Sequence, residues 1–213
     1  MGTEKADTSP RRRLSSEQRR RTITDAALKL FAERGYEAAS MDDIATEAGI
    51  TVAVIYSHFK SKEKLHSAVL SEQWQNVIVA QGQAAFDIPP GRDRLRAAYE
   101  AFFAWLQAHP LAWRLVFREL AGPPAVVRAQ EEVWAMSTQA VVAYLAAEDP
   151  ADERLASEPG MVIAAEAIKG SVNAVARWWL DHPEVEREFI IDLLVDMTWE
   201  GLAPLGVEGK NRR

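Results

Sequence analysis

Apolar residues recur at helical spacing along almost the whole chain, and no segment sustains the alternation expected of a strand. The pattern predicts an all-α protein. A first helix runs from about Ser16 to Arg34, with Ile23, Ala26, Ala27, Leu30 and Phe31 on one stripe and Gly35 as its stop. Ser40 reads as an N-cap with Asp43 three residues on, a shortened capping box at the start of a second, short helix. Ile44, Ala45 and Ala48 form the buried side of that helix, and Gly49 ends it in a backbone conformation that other residues resist. A third short segment holds Val54, Ile55, His58 and Phe59, and Ser61 caps a longer fourth helix. Two short helices joined by a glycine turn describe a helix-turn-helix; a plain αα-hairpin inside a larger bundle fits the same pattern.

Beyond Ala85 the chain is punctuated at Pro89-Pro90-Gly91, His109-Pro110, Gly122 to Pro124, Asp149 to Gly160 and Asp181 to Pro183. This predicts further helices near 92–108, 111–121, 124–148, 160–181 and 184–203, about nine in all. The expected organisation is a disordered basic arm over residues 1–15, a three-helix unit carrying the helix-turn-helix over 16–62, a larger helical bundle over 63–205, and a frayed tail over 206–213. The last two helices are apolar on more than one face, so each needs cover on both sides. Ala167, Ser171, Ala174, Trp178, Ile190, Leu194 and Met197 are therefore expected at a homodimer seam, with a core internal to the chain as the alternative.

Charge changes this picture. The net charge of -6 argues against a polyanionic partner, yet residues 1–66 hold 12 Lys and Arg against 10 Asp and Glu, leaving 13 against 21 in the rest. The first third is +2 and the remainder -8. Arg11 to Arg13 and Arg19 to Arg21 concentrate the positive charge ahead of the first apolar stripe, where it either tracks phosphates or is simply solvated. With no cysteine there is no disulfide and no thiolate metal site. The N-terminus lacks a signal-peptide core, and the longest uncharged run, Val133 to Ala147, is interrupted by Ser137, Thr138 and Gln139, so no membrane span and a cytoplasmic location are expected.

From Arg19 to Leu70 the chain resembles the DNA-binding domain of the TetR family of bacterial transcriptional regulators. The resemblance is carried by "ITDAALKLFAERGYEAASMDDIATEAGITVAVIYSHFKSKEKLHSAVL", where an Ala-Ala-x-x-Leu-Phe-Ala-x-x-Gly-Tyr run, an Ile-Ala-x-x-Ala-Gly-Ile run and an Ile-Tyr-x-His-Phe-x-Ser-Lys-x-x-Leu run follow in order. It implies a repressor that binds a near-palindromic operator as a dimer and is released by a small hydrophobic or aromatic effector, with no cofactor. Position in the motif aims Thr51, Val52, Ala53, Val54 and Ser57 at base edges and assigns Tyr56, His58, Lys60 and Lys62 to the DNA backbone or outer edges. Ser40, Thr22 and the arm residues Arg19, Arg20 and Arg21 are further phosphate candidates. Val52-Ala53-Val54 departs from the more polar residues common in the family, which predicts contact with thymine methyls and reliance on DNA shape rather than bidentate bonds to bases.

The middle helices are rich in aromatics, of which Phe102, Phe103, Trp105, Trp113, Phe117 and Trp134 are candidates for an effector pocket, together with Thr138. Most such residues are core in ordinary proteins. Glu166, Gly170, Asn173 and Arg177 form a polar stripe on an otherwise apolar helix, which either crosses the dimer seam or points at ligand. The rival readings are a helical-bundle enzyme and a protein-interaction module. Neither has support in a catalytic motif, the four histidines are scattered, and His109 and His182 read as caps at helix ends.

Overall fold

The computed structural model describes residues 15–118, 123–150 and 152–202. Among these there is no strand, and ten helices follow in order: α1 (Ser16–Ala38), α2 (Met41–Ala48), α3 (Val52–His58), α4 (Lys62–Ala85), α5 (Arg92–Ala108), α6 (Pro110–Arg118), α7 (Pro124–Ala147), α8 (Glu153–Ala156), α9 (Glu158–Leu180) and α10 (Arg187–Leu202). The helix absent from the sequence reading is α8, a single turn started by the Asp152 carboxylate, which accepts from the Arg154 and Leu155 amides. It lies in the stretch expected to be a break, because one capping residue suffices to close one turn.

The start and stop signals act locally. Ser15 and Gln18 form a capping box at the start of α1, and Gly35 interrupts that helix with φ 81°. Ser40 and Asp43 form the second capping box, Gly49 closes α2 at φ 63°, ψ 34°, and the Ser61 hydroxyl accepts from the Lys64 amide to begin α4. These short helices are held by one apolar centre: Ile23, Phe31, Ile44, Ile55 and Leu65 are all buried to within a percent or so of complete. Burial of each such side chain contributes about 1.5–3 kcal/mol, which outweighs the weak helix-forming tendency of α2 and α3 taken alone.

The long helix α4 belongs to both halves of the molecule. Its first turns set Leu65, His66 and Val69 against α1, and its later turns pack along α5 and α7. α5 is in turn fastened to α10 by a polar seam: Arg92 with Asp196, Arg96 with Asp192 at 2.5 Å and with Glu188 at 3.1 Å, and the Tyr99 hydroxyl with Thr198 at 2.9 Å. The ion pairs are largely exposed and add little stability, but Tyr99 is buried, so its bond fixes the register of the two helices.

Ile190 and Leu194, expected at the dimer seam, instead lie buried in the chain's own core. An apolar residue on α10 faces inward wherever α5 and α9 already cover it, and pattern alone does not show which face that is. Ala167, Ala174, Trp178 and Met197 are exposed, and Ser171 is half-buried. Ile163, Phe189 and Leu193 join them on the outside, at 69%, 62% and 50% exposure.

Candidate nucleic-acid interface and ligand cavity

α3 presents two different faces. Ile55 is fully buried and Val52 packs against the same core, whereas Thr51, Ala53, Tyr56 and Ser57 are exposed and Val54 is half-buried without joining the core. Only Val54 of the two valines is therefore open to an outside partner. Tyr56 is 51% exposed, His58 is half-buried, and Lys60, two residues past the end of α3, is exposed.

The structure also gives some expected phosphate contacts internal work. The Lys62 ammonium donates to the Ala39 carbonyl at 2.9 Å and lies 4.3 Å from the centre of the Tyr36 ring, tying the start of α4 to the end of α1. Ser40 is engaged in its capping box, and the Thr22 hydroxyl donates to the Gln18 carbonyl at 3.0 Å. Arg20 lies over the Phe59 ring at 4.4 Å, and Arg21 pairs with Glu17 while remaining exposed. Arg19 is half-buried on α1. Arg11 to Arg13 and the tail from residue 206 lie outside the described residues.

His66 is enclosed in this half at 1% exposure, with neither ring nitrogen hydrogen-bonded. Its ring meets Phe31 and Tyr36 edge-on at 4.9 and 5.2 Å. Burial, and then the nearby Lys62 charge, push its pKa from the usual 6.5 down to about 4. The unfolded chain thus binds a proton that the folded chain refuses, so this contribution is complete above about pH 6.5 and lost as pH falls toward 4, to the extent of about 3 kcal/mol. Replacing His66 by leucine should raise unfolding stability at neutral pH and flatten the acid limb over that window; denaturation midpoints measured from pH 7 to pH 4 would check it.

A cavity of about 540 Å³ lies between α4, α5, α7 and α9. At about 30 Å³ per water-sized group it has room for roughly eighteen such groups, the scale of a long alkyl chain. Its walls are mostly apolar. One end is marked by Phe86, Arg94 and Tyr144, the other by Trp74, Phe102 and Asn173. Trp74 and Ala85 both line it from α4 and are separated by about 16 Å of helix. A second hollow of about 360 Å³ shares Trp74 and Asn173 with the first and is flanked by Trp134 and Arg177.

Of the aromatic candidates, Phe102 lines the larger cavity and Trp134 the smaller. Phe103 and Trp113 are core residues packed on Trp179, and Trp105 stacks on His109 at the end of α5. Each is apolar on the correct face, but other side chains already fill the space opposite. The side chain of Phe117 lies outside the described residues. His109 and His182 each meet the carbonyl four residues back at 2.8 Å, in keeping with the capping expectation.

The polar stripe of α9 divides. Asn173 faces both hollows and Arg177 the smaller one, but Glu166 turns to α7, where it accepts from Trp134 Nε1 at 2.9 Å and from the Thr138 hydroxyl at 2.5 Å. Lys169 completes that cluster: it bonds Glu166 at 3.0 Å and the Trp134 carbonyl at 3.0 Å, contacts Thr138, and sits over the Trp134 ring. Burial lowers the Lys169 pKa against the pull of Glu166, while burial pushes Glu166 up and its bonds from Thr138, Lys169 and Trp134 bring it below its ordinary value. The sequence signal for Lys169 was a lone lysine three residues after a glutamate in an apolar helix. For Arg94 and Glu148, which meet from distant helix ends, there was none.

A helix-turn-helix with one exposed face, joined by a shared long helix to a bundle that encloses an apolar cavity, defines a regulator whose DNA-reading unit is mechanically linked to a ligand site. The chain belongs to the tetR family of bacterial regulatory proteins: that family's model matches residues 23–69, and a tetracyclin repressor-like C-terminal domain matches residues 91–201. It is 33% identical over 193 residues to the HTH-type transcriptional activator FasR of Mycolicibacterium smegmatis, covering 90% of this chain and 86% of that protein. A TetR-like transcriptional regulator from Rhodococcus sp. RHA1 matches at 27% identity and a TM-score of 0.71, over 90% of this chain and 99% of that one. The transcriptional regulator FadR of Bacillus subtilis, solved in complex with stearoyl-CoA, shares the fold at 18% identity and a TM-score of 0.73, over 85% and 98% of the two chains. The protein is thus a ligand-responsive transcriptional regulator, and among its described residues no helix is long and apolar enough to cross a membrane.

Proposed function

We propose that the protein works in the cytoplasm as a homodimer on a near-palindromic operator, that residues 16–62 read the DNA, and that a long-chain acyl compound in the larger cavity lowers operator affinity. The single observation that carries this reading is α4, whose one end braces the reading head through Leu65 and Val69 and whose other end walls the cavity through Trp74, Ile78 and Ala85. A ligand that prefers a different tilt of α4 shifts the equilibrium between DNA-competent and incompetent spacings. The acyl class is supported by the size and apolar walls of the cavity and by the stearoyl-CoA named for the FadR relative. Loss of affinity reads out as repression relieved or activation withdrawn according to where the operator stands relative to the promoter, and the FasR relative is named an activator. Titrating an operator complex with a long-chain fatty acid and with its CoA thioester tests this; release by at least one of them at stoichiometric ligand is expected, and tight binding with operator affinity unchanged would refute it.

The dimer uses the outer faces of α9 and α10. Ile163, Ala167, Gly170, Ala174 and Trp178 recur every three or four residues on one, Phe189, Leu193 and Met197 every four on the other, and the small residues allow close approach of a two-fold mate. Changing Leu193 to aspartate should split the dimer and lower operator affinity about a hundredfold, since one reading head loses the effective concentration that the other supplies. Sedimentation and operator titration report the two effects.

At the DNA, Thr51, Ala53, Val54, Tyr56, Ser57 and Lys60 form the reading face, with Arg19, Arg20 and Arg21 of the first turns of α1 as phosphate contacts. Val54→Ala should weaken binding by about 1 kcal/mol at operator positions bearing a thymine methyl and leave other positions alone, whereas Val52→Ala should lower stability instead. A panel of single-substitution operators separates these outcomes.

A further inference from the structure

At the end of the cavity marked by Phe86, three polar atoms are buried without a hydrogen-bond partner: Arg94 Nε, the Tyr144 hydroxyl and Glu148 Oε1. Buried groups of this kind normally find partners, so three together in one place call for an explanation. Arg94 stands in the first turn of α5 and Glu148 is the C-cap of α7. Their charged atoms approach to 3.5 Å without the alignment of a hydrogen bond, and the guanidinium lies 4.8 Å from the centre of the Tyr144 ring. Both helix ends oppose the charge placed on them, a cation at a partly positive N-terminus and an anion at a partly negative C-terminus. Arg94 and Tyr144 line the cavity, and Glu148, its side chain 2% exposed, backs them.

We infer that this cluster is the subsite for the carboxyl group of a long-chain fatty acid, which enters together with one proton that it shares with Glu148. The inference rests on the reading of the cavity as the effector site. A carboxylate offers only acceptors, and Arg94 Nε–H and the Tyr144 O–H supply two donors for it. A second carboxylate beside Glu148 is repelled unless one of the two is protonated. A proton taken from solvent then bridges the two carboxyl groups, the remaining negative charge stays paired with Arg94, and all three orphaned atoms gain partners. Burial already raises the Glu148 pKa, against the opposing pull of the Arg94 charge, of the Gly91 amide and of the Tyr144 hydroxyl, which comes near the carboxylate without the alignment of a full hydrogen bond; these face it from α5, the loop before α5 and α7. A thioester presents acceptors and no proton, so Glu148 Oε1 stays unpaired. An alcohol can reach the three atoms only through a single oxygen, brings no negative charge for Arg94 and takes up no proton.

The test is calorimetric titration of the full chain near neutral pH with hexadecanoate, hexadecan-1-ol and the CoA thioester of the same acid, each in two buffers of different ionisation enthalpy. The acid is expected to bind tightest and to take up about one proton per site, with affinity falling about tenfold per pH unit in alkaline buffer. Glu148→Gln should still bind the acid but without proton uptake, and Arg94→Gln should narrow the gap between acid and alcohol at least tenfold. Equal affinity for acid and alcohol, or uptake that persists in Glu148→Gln, would overturn the subsite. Binding of the thioester alone would overturn it while keeping the cavity as the effector site, and failure of all three to bind would remove both.

Discussion

Replacing Ala98 by phenylalanine is expected to abolish the response to effector while leaving the operator bound. Ala98 lines the cavity from the middle of α5, between Arg94 and Phe102 on the same wall. A phenyl ring there fills part of the 540 Å³ that an acyl chain needs. Loss of effector affinity of at least a hundredfold, about 2.7 kcal/mol, should follow from steric exclusion alone. Because the ring enters existing space rather than a packed core, the melting temperature should hold or rise. Operator binding with and without a long-chain acyl compound, set beside a thermal melt, separates this result from misfolding: a variant that still releases DNA at the same ligand concentration would place the effector elsewhere.

Phe31→Ala is the larger blow to stability. The Phe31 ring is 1% exposed, stacks at 6.0 Å on Tyr36, and meets His66 edge-on, so it joins α1 to the first turns of α4. Removing it leaves a cavity that the surrounding side chains fill only in part, at a cost of about 3–5 kcal/mol. That is a large share of the stability of a typical domain. It falls on the unit that holds α2 and α3 in register. Chemical denaturation should show the loss, and operator affinity should fall with it even though Phe31 touches no base. Phe103→Ala, deep in the other half at 0% exposure, should cost as much in stability yet spare DNA contact in whatever fraction remains folded. Equal operator affinities for the two folded variants would contradict this division of labour.

The reading head was legible because its signals are local. Ser40 with Asp43, Gly49 and Ser61 each act within a few residues, and the structure finds both caps and the left-handed glycine where the pattern placed them. The bundle was legible as helices but not as a site. Ile190 and Leu194 are as apolar as Leu193 and Met197, and only the position of α5 and α9 decides that the first two turn inward. Phe103 and Phe102 are neighbours in sequence, yet one is enclosed and the other walls the cavity, since a void is defined by what is missing opposite a side chain. Glu166 belongs to the polar stripe by spacing, but its bonds to Trp134, Thr138 and Lys169 depend on how α7 lies against α9, which the spacing does not indicate. The Arg94 to Glu148 contact joins the start of one helix to the end of another, and nothing in the intervening chain announces it.

The central claim is that one molecule reads a two-fold DNA site and lets go of it when the cavity fills. Affinity selection of random duplex DNA by the full chain, repeated with a long-chain acyl compound present and across a range of salt, tests it most directly. The account predicts a short inverted repeat, an affinity that falls by about one power of salt concentration for each phosphate neutralised, and loss of the selected site when the compound is added. Recovery of no preferred sequence by a well-folded dimer, or of an inverted repeat held equally well with the cavity occupied, would contradict it.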